Sequence, residues 1–329
     1  MKKSIISVLF SCFFFFSFAQ NSFQVIVLGS GGGVDESNIS SYLVAPINSE
    51  NYIALDAGTL MVGLKLAVEK NLFFTNGLNN KFTDAAFILR SHIKAYVISH
   101  AHFDHIAGLI QVSPFDTKKE IYCSEKTMNH LLNNVFKNGI WANFTDRGEN
   151  AIGKYRLVNT PTNQWISIPE TSFEIKAFDL SHSGLGNSTA FLIKNQTDYM
   201  LYFGDTGSDI IEKSNSITTI WHEIAPLVRQ KALKAIFIEC SFPNSVDDEQ
   251  LYGHLNPKWL GFELEKLALE VKNKNVEGAL EGIKIFVTHI KPSYLLEVNN
   301  QEIITKQLSE YTYLGAEFII AEQVKKYTF

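Results

Sequence analysis

The segment His100-Ala101-His102-Phe103-Asp104-His105 puts three imidazoles and a carboxylate within six positions of a chain that has nine histidines in all. A solvated loop rarely concentrates them so. His100 and His102 are two apart, so in extended backbone their side chains point the same way and can serve one ion. Asp104 and His105 then turn back toward a neighbouring ion. Imidazole with carboxylate suits zinc, with manganese and iron as alternatives. Two close divalent ions lower the pKa of a water and neutralise charge on a phosphoryl or carbonyl oxygen, so the chemistry on offer is hydrolysis.

A complete site needs ligands from elsewhere, and three stand in equivalent places. His182 follows a strand-like run ending at Leu180, Asp205 follows Tyr199–Phe203 after Gly204, and His289 follows Ile283–Thr288. Taken singly, each reads equally well as a polar turn residue. Three of them at the ends of apolar strands, beside the cluster, read as ligands. His92, His130 and His222 lack ligand spacing and read as ordinary surface or core histidines.

The elements that must position these groups are frequent short strands. Runs at Phe23–Gly29, Ser41–Ala45, Tyr52–Asp56, Ala95–Ser99 and Glu120–Cys123 are apolar and β-rich, and turn residues bound them. Phe173–Leu180, Thr189–Lys194, Ala235–Glu239 and Glu317–Ala321 join the two runs just named. Helical spacing marks Thr59–Glu69, Ile106–Val112, Thr127–Phe136, Ile220–Val228 and Trp259–Val271. The His/Asp cluster is thus expected in the loop between the strand ending at Ser99 and the helix starting at Ile106. Early strands follow one another directly and later ones alternate with helices, which suggests two packed sheets with helices outside. No linker, repeat or low-complexity stretch divides residues 20–329, so a single catalytic domain is expected there.

His-x-His-x-Asp-His, followed by His182, Asp205 and His289 at gaps of 80, 23 and 84 residues from His102, resembles the ligand pattern of the metallo-β-lactamase superfamily. That resemblance implies an α/β fold, the four-layer αββα sandwich. It also implies that His100, His102 and His182 hold one metal, Asp104, His105 and His289 the other, and Asp205 both. Asp56 in Leu55-Asp56-Ala57-Gly58 matches an early Asp that supports the site from behind.

A tighter likeness covers His100 through Pro114, which resembles the signature of the class II 3′,5′-cyclic-nucleotide phosphodiesterases; Phe103 stands where that family usually has Leu. Gly29-Ser30-Gly31-Gly32-Gly33, Ile238-Glu239-Cys240-Ser241-Phe242-Pro243, Leu251-Tyr252-Gly253-His254-Leu255 and Val287-Thr288-His289-Ile290-Lys291-Pro292 are similar to further blocks of it. The resemblance implies hydrolysis of cAMP, cGMP or both to nucleoside 5′-monophosphates. Two divalent ions, zinc foremost, would activate a hydroxide near Asp205, which Asp104 helps to orient. His254, in the loop before the helix opened by Asn256-Pro257, is the candidate proton donor to the leaving oxygen. Glu239 is the candidate to orient its ring. Ser30–Gly33 lacks the residues of a phosphate loop and reads as a tight turn beside the metals. Lys291 reads as a solvated lysine.

Composition narrows the partners. Of 329 residues 46% are apolar and 19% charged, with a net charge of −5. Without Lys2 and Lys3 the balance is 27 basic to 34 acidic side chains. So acidic a chain has no global field for nucleic acid, which disfavours a tRNA-processing type of nuclease on the same scaffold. A β-lactamase or lactonase does not account for the Glu239 and His254 blocks. A non-catalytic metal module does not account for a full ligand set with a proton donor. The partner expected is therefore a small cyclic nucleotide; a homodimer is left open.

Lys2-Lys3, the apolar run Ser4–Phe18 and the small residues of Ser17-Phe18-Ala19 read as a signal peptide over residues 1–19, cleaved before Gln20. Lipidation at Cys12 is the weaker alternative, because the apolar run continues past it. Export to the periplasm or medium follows, with no stable membrane insertion after cleavage. Cys123 and Cys240 would remain, and two buried free thiols are expected rather than a disulfide.

Overall fold

Strands whose two faces are both apolar must be covered on both sides, and Phe23-Gln24-Val25-Ile26-Val27-Leu28-Gly29 is buried throughout. The computed structural model describes residues 22–73 and 81–329. The expected signal peptide, its Cys12 alternative and the Gln20 start lie outside the described residues.

The first half of the chain contains β1 (Phe23–Gly29), β2 (Ser41–Pro46), β3 (Tyr52–Leu55), α1 (Met61–Glu69), α2 (Asp84–Phe87), β4 (Ile93–Val97), α3 (Phe103–Val112), β5 (Lys119–Cys123), α4 (Glu125–His130) and β6 (Tyr155–Asn159). It continues through β7 (Trp165–Ser167), β8 (Phe173–Ser181), β9 (Leu185–Asn195), β10 (Asp198–Phe203), α5 (Asp209–Glu212), α6 (Ser216–Arg229) and β11 (Leu233–Glu239). Then come α7 (Pro257–Lys272), β12 (Lys284–Thr288), α8 (Asn300–Leu308), β13 (Glu317–Ile320) and β14 (Lys326–Thr328).

Two seven-stranded sheets result, in the orders β14-β1-β2-β3-β4-β5-β6 and β13-β12-β11-β10-β9-β8-β7. In the first, β3, β4, β5 and β6 run parallel. In the second, β10, β11, β12 and β13 do. The remaining neighbours pair antiparallel.

Alternate residues divide between layers. Phe23, Val25 and Val27 meet Phe173, Phe191, Tyr202 and Phe237 between the sheets. Ile26 and Leu28 face outward onto Leu64 of α1 and Leu109 of α3. On the other outer face Ile217, Ile220, Trp221, Ile224 and Val228 of α6 recur at helical spacing and cover Leu201, Ile236 and Ile238. Each of these fully buried side chains contributes about 1.5–3 kcal/mol by leaving water. The layers are those of an αββα sandwich, as expected. Cys123 and Cys240 are free and buried. Among the described residues no helix is long and apolar enough to cross a membrane.

One local expectation is corrected. Asp104 and His105 do not lie in a loop; α3 begins at Phe103, with His102 in extended conformation as its cap. The turn after β3 docks on this helix end. Ala57 N–H donates to the His105 carbonyl at 2.8 Å and Gly108 N–H donates to the Gly58 carbonyl at 2.8 Å. That approach needs glycine, since a Cβ on Gly58 would lie 2.1 Å from the Asp104 carbonyl oxygen.

Candidate metal centre

Parallel strands deliver their C-terminal ends to one edge, and each sequence candidate sits there. β4 leads to His100, β8 to His182, β10 to Asp205 and β12 to His289. Glu239 ends β11, opposite Thr288 of β12 in register. Asp56 follows β3, its N–H bonded to the Val97 carbonyl of β4 at 3.0 Å.

Around the buried Asp205 carboxylate the imidazole Nε2 atoms converge. His289 lies at 3.2 Å, His105 at 3.3 Å, His100 at 3.8 Å and His182 at 4.0 Å. Among the described residues three groups have ligand atoms within 4.8 Å of one another: His100, His102, His182 and Asp205; Asp104, His105, Asp205 and His289; and Glu239, His254 and His289. Asp205 is common to the first two, the candidate ligand groups. All seven ligand candidates are thus brought together, in the two sets expected.

The surroundings fit cations on two counts. First, the outward-facing nitrogens are already used. His105 Nδ1 lies 2.7 Å from Asp56, His182 Nδ1 2.7 Å from the Gly253 carbonyl, His100 Nδ1 3.0 Å from Ser99 Oγ and His289 Nδ1 3.0 Å from Ser241 Oγ. With a proton on each Nδ1, the Nε2 lone pairs face inward. His100 Nε2 is buried with no hydrogen-bond partner, an orphan that a cation would satisfy. Second, the charges call for one. Burial works against a charged His105, yet Asp205, Asp56 and Asp104 outweigh it and hold its pKa well above the ordinary value. Burial also opposes a charged Asp205, but His289 and His105 keep it well below the usual carboxylate range.

Two buried carboxylates organise the imidazoles in the same way. Asp56 binds His105 directly and reaches His100 through Ser99, whose Oγ donates to it at 2.7 Å. Glu239 binds His254 Nδ1 directly at 2.8 Å and reaches His289 through Ser241, whose Oγ donates to it at 2.6 Å. Such partners fix the tautomer and the ring plane of a ligand. Asp56 also accepts from Ser99 N–H at 2.7 Å and Tyr202 Oη at 2.6 Å. Asp56→Asn cannot satisfy four donors with one carbonyl oxygen. Metal affinity, measured by competition with a chelator, is expected to fall by about 10- to 100-fold. Unchanged affinity would mean that these rings are held by something else.

His254, in the loop before α7, which Asn256 caps, meets Glu239 at the end of β11. Burial pushes the His254 pKa down, but the Glu239 carboxylate more than offsets this and the net shift is upward. Ser30–Gly33 does lie beside the ligands. Gly33 N–H donates to Asp104 Oδ2 at 3.1 Å, and a Cβ on Gly32 would lie 2.4 Å from the His289 ring.

Lys291 stands at the same edge. It is half-buried and lines a cavity of about 550 Å³ with Gly33, His102, Asp104, Asp205 and His254. Its backbone is tied by its N–H to the Ser241 carbonyl at 3.1 Å and by its carbonyl to Asn300. Ser99, Ser241 and Tyr202 went unread in the sequence. Ser99 precedes His100 and Ser241 lies within the Glu239 block, so neighbourhood was the available signal.

The same chain resembles known proteins. The family described as cAMP phosphodiesterases class-II matches residues 19–324. A 3′,5′-cyclic-nucleotide phosphodiesterase of Aliivibrio fischeri is 40% identical over 329 residues, covering 98% of either chain. The structure is similar to unliganded yeast PDE1, with a TM-score of 0.79 at 23% identity over 94% of this chain and 100% of that one. It is also similar to the metallo-β-lactamase fold protein YhfI of Bacillus subtilis, with a TM-score of 0.60 at 18% identity over 94% and 100%.

Proposed function

This chain belongs to the class II cAMP phosphodiesterases and hydrolyses 3′,5′-cyclic nucleotides; on that premise we propose that it is an exported enzyme holding two zinc ions and releasing nucleoside 5′-monophosphates. The observation that carries this reading is the Asp205 carboxylate, common to both ligand groups and lining the same cavity as His254. His100, His102 and His182 would hold one ion, Asp104, His105 and His289 the other, with Asp205 available to each. When bound, two such ions lower the pKa of a water and neutralise phosphoryl charge. Zinc is supported by an imidazole-rich set completed by carboxylates.

The protein groups do the rest. Asp104, fixed by Gly33 N–H, orients the attacking water. His254 has spent Nδ1 on Glu239 and gives the proton on Nε2 to the leaving 3′-oxygen. Glu239 keeps that ring oriented and protonated. The Lys291 ammonium takes a non-bridging phosphoryl oxygen. Lys291→Ala is therefore expected to raise KM for cAMP about 10- to 100-fold, the range of a hydrogen bond to a charged group. A KM at the wild-type value in steady-state assays would return Lys291 to solvent.

Export is supported by the charged start, apolar run and small residues of Met1–Ala19. One experiment tests the whole reading. The mature protein is purified, its N-terminus sequenced and its metals counted. Hydrolysis of 3′,5′-cAMP, 3′,5′-cGMP, 2′,3′-cAMP and a β-lactam is then compared. The expected result is a start at Gln20, two zinc ions per chain and turnover of the 3′,5′-cyclic esters to 5′-monophosphates. Preferred cleavage of the 2′,3′ ester or the lactam would overturn the substrate assignment.

A further inference from the structure

The cavity over the ligands has a polar part and an apolar part. His254 and Lys291 are suited to the phosphate, and Asp104 and Asp205 to the cations that would neutralise it. Phe103 and Tyr252 line the same cavity yet are 74% and 70% exposed. Scattered exposed apolar side chains need no explanation, but two aromatic rings at the mouth of one catalytic cavity are a different matter. Trp165 rests on Tyr199, Phe115 on Phe82 and Tyr313 on Tyr311, while Tyr294, also 70% exposed, lies outside this cavity. For Phe103 and Tyr252 no ring contact occurs among the described residues.

Both rings are fixed at their bases. Phe103 opens α3, next to His102. Tyr252 holds a left-handed backbone with φ of 50°, and Gly253 follows with φ of 79°. A non-glycine residue in that region is strained, and such strain concentrates where a side chain must be aimed. The Gly253 carbonyl in turn accepts from His182 Nδ1, so the turn that presents Tyr252 is tied to a ligand.

We propose that Phe103 and Tyr252 are the stacking platform for the purine base of the cyclic nucleotide, and hence its specificity-determining pair. The proposal rests on the cyclic-nucleotide reading. Stacking uses the face of the base and does not read its edge. The other polar side chains at this mouth include Asn187 and Ser183, and the Asn187 amide hydrogens are already committed to the His182 and Ser183 carbonyls at 3.1 and 3.2 Å. Adenine and guanine are therefore accepted alike, and both are preferred over the smaller face of cytosine.

Phe103→Ala and Tyr252→Ala test this against the ring-preserving Phe103→Tyr and Tyr252→Phe. Substrates are cAMP, cGMP, cCMP and the base-free 3,5-cyclic phosphate of 1-deoxyribose. Binding of AMP and of ribose 5-phosphate is measured by calorimetry. Each Ala variant is expected to raise KM for both purine substrates, and Kd for AMP, by about tenfold, within the range of one base–aromatic stack. The base-free ester and ribose 5-phosphate should be unaffected, and the ring-preserving variants should match wild type. Equal losses on the base-free compounds, or none on the purines, would overturn the platform. Wild-type protein that cleaves the base-free ester but neither purine substrate would instead overturn the cyclic-nucleotide reading beneath it.

Discussion

Asp205→Ala should lose its metal ions and its activity together. The carboxylate is 2% exposed and is the side chain shared by the His100-His102-His182 and Asp104-His105-His289 groups. With it gone, His100, His105, His182 and His289, now 3.2–4.0 Å from its oxygens, would crowd their Nε2 atoms round a site that has lost its central negative charge. Neutral imidazoles still bind a cation, but neither group keeps its full donor set. Two-metal stabilisation amounts to several kcal/mol of transition-state charge, and each 1.36 kcal/mol is tenfold in rate. kcat/KM should therefore fall on the order of a thousandfold or more. Metal content by atomic emission should drop below two ions per chain, while far- and near-ultraviolet circular dichroism stays native. A variant that keeps two ions and the wild-type rate would remove Asp205 as the shared ligand.

The candidate ligands were legible because their types are scarce and each follows a strand whose apolar run is plain. His182, Asp205 and His289 end β8, β10 and β12, and parallel pairing among β10, β11 and β12 brings such ends to one edge. The supporting hydroxyls were not legible in that way. Tyr202 sits inside β10 and meets Asp56 from the other sheet, 146 residues away in sequence. Only sheet-on-sheet packing makes that contact, and no periodicity encodes it. The start of α3 was misjudged because Phe103-Asp104-His105 carries no apolar stripe. Its helical turn comes from the His105 N–H bond to the His102 carbonyl and from docking of the Ala57–Gly58 turn. β7 and β14 are three residues each and lie at sheet edges, too short to show alternation. α8, Asn-Gln-Glu-Ile-Ile-Thr-Lys-Gln-Leu, buries only Ile304 and Leu308, so its apolar face is too thin to read.

The paired carboxylates separate two tasks that one site must combine. Asp56 serves His105 and, through Ser99, His100, so its work is wholly on ligands. Glu239 serves one ligand through Ser241 and one ring, His254, that belongs to neither of the two groups sharing Asp205. Four buried or half-buried carboxylates near six imidazoles would be costly without cations, which is why the pattern indicates metal more strongly than any one residue does. The backbone shows a related cost. Asp56 and His289 both hold left-handed conformations, with φ of 51° and 57°. These are strained positions retained where side-chain direction matters.

His254→Ala should separate proton delivery from metal binding. His254 is 7% exposed, its Nδ1 is committed to Glu239, and its ring stands 4.7 Å from that of His182. Loss of a positioned general acid costs about 10²–10⁴-fold, so kcat on cAMP should fall within that range while both ions remain. The loss must depend on the leaving group. A nitrophenyl phosphodiester expels a stable phenolate that needs no proton, so the variant should retain most of its rate there. Glu239→Gln is the discriminating companion. It weakens the hold on His254 and also reaches His289 through Ser241, so it should lower kcat on cAMP and loosen an ion together, whereas His254→Ala does only the first. Equal losses on cAMP and on the nitrophenyl ester would sink the proton-donor role, because a group that acts on the leaving oxygen cannot matter equally where that oxygen needs no help.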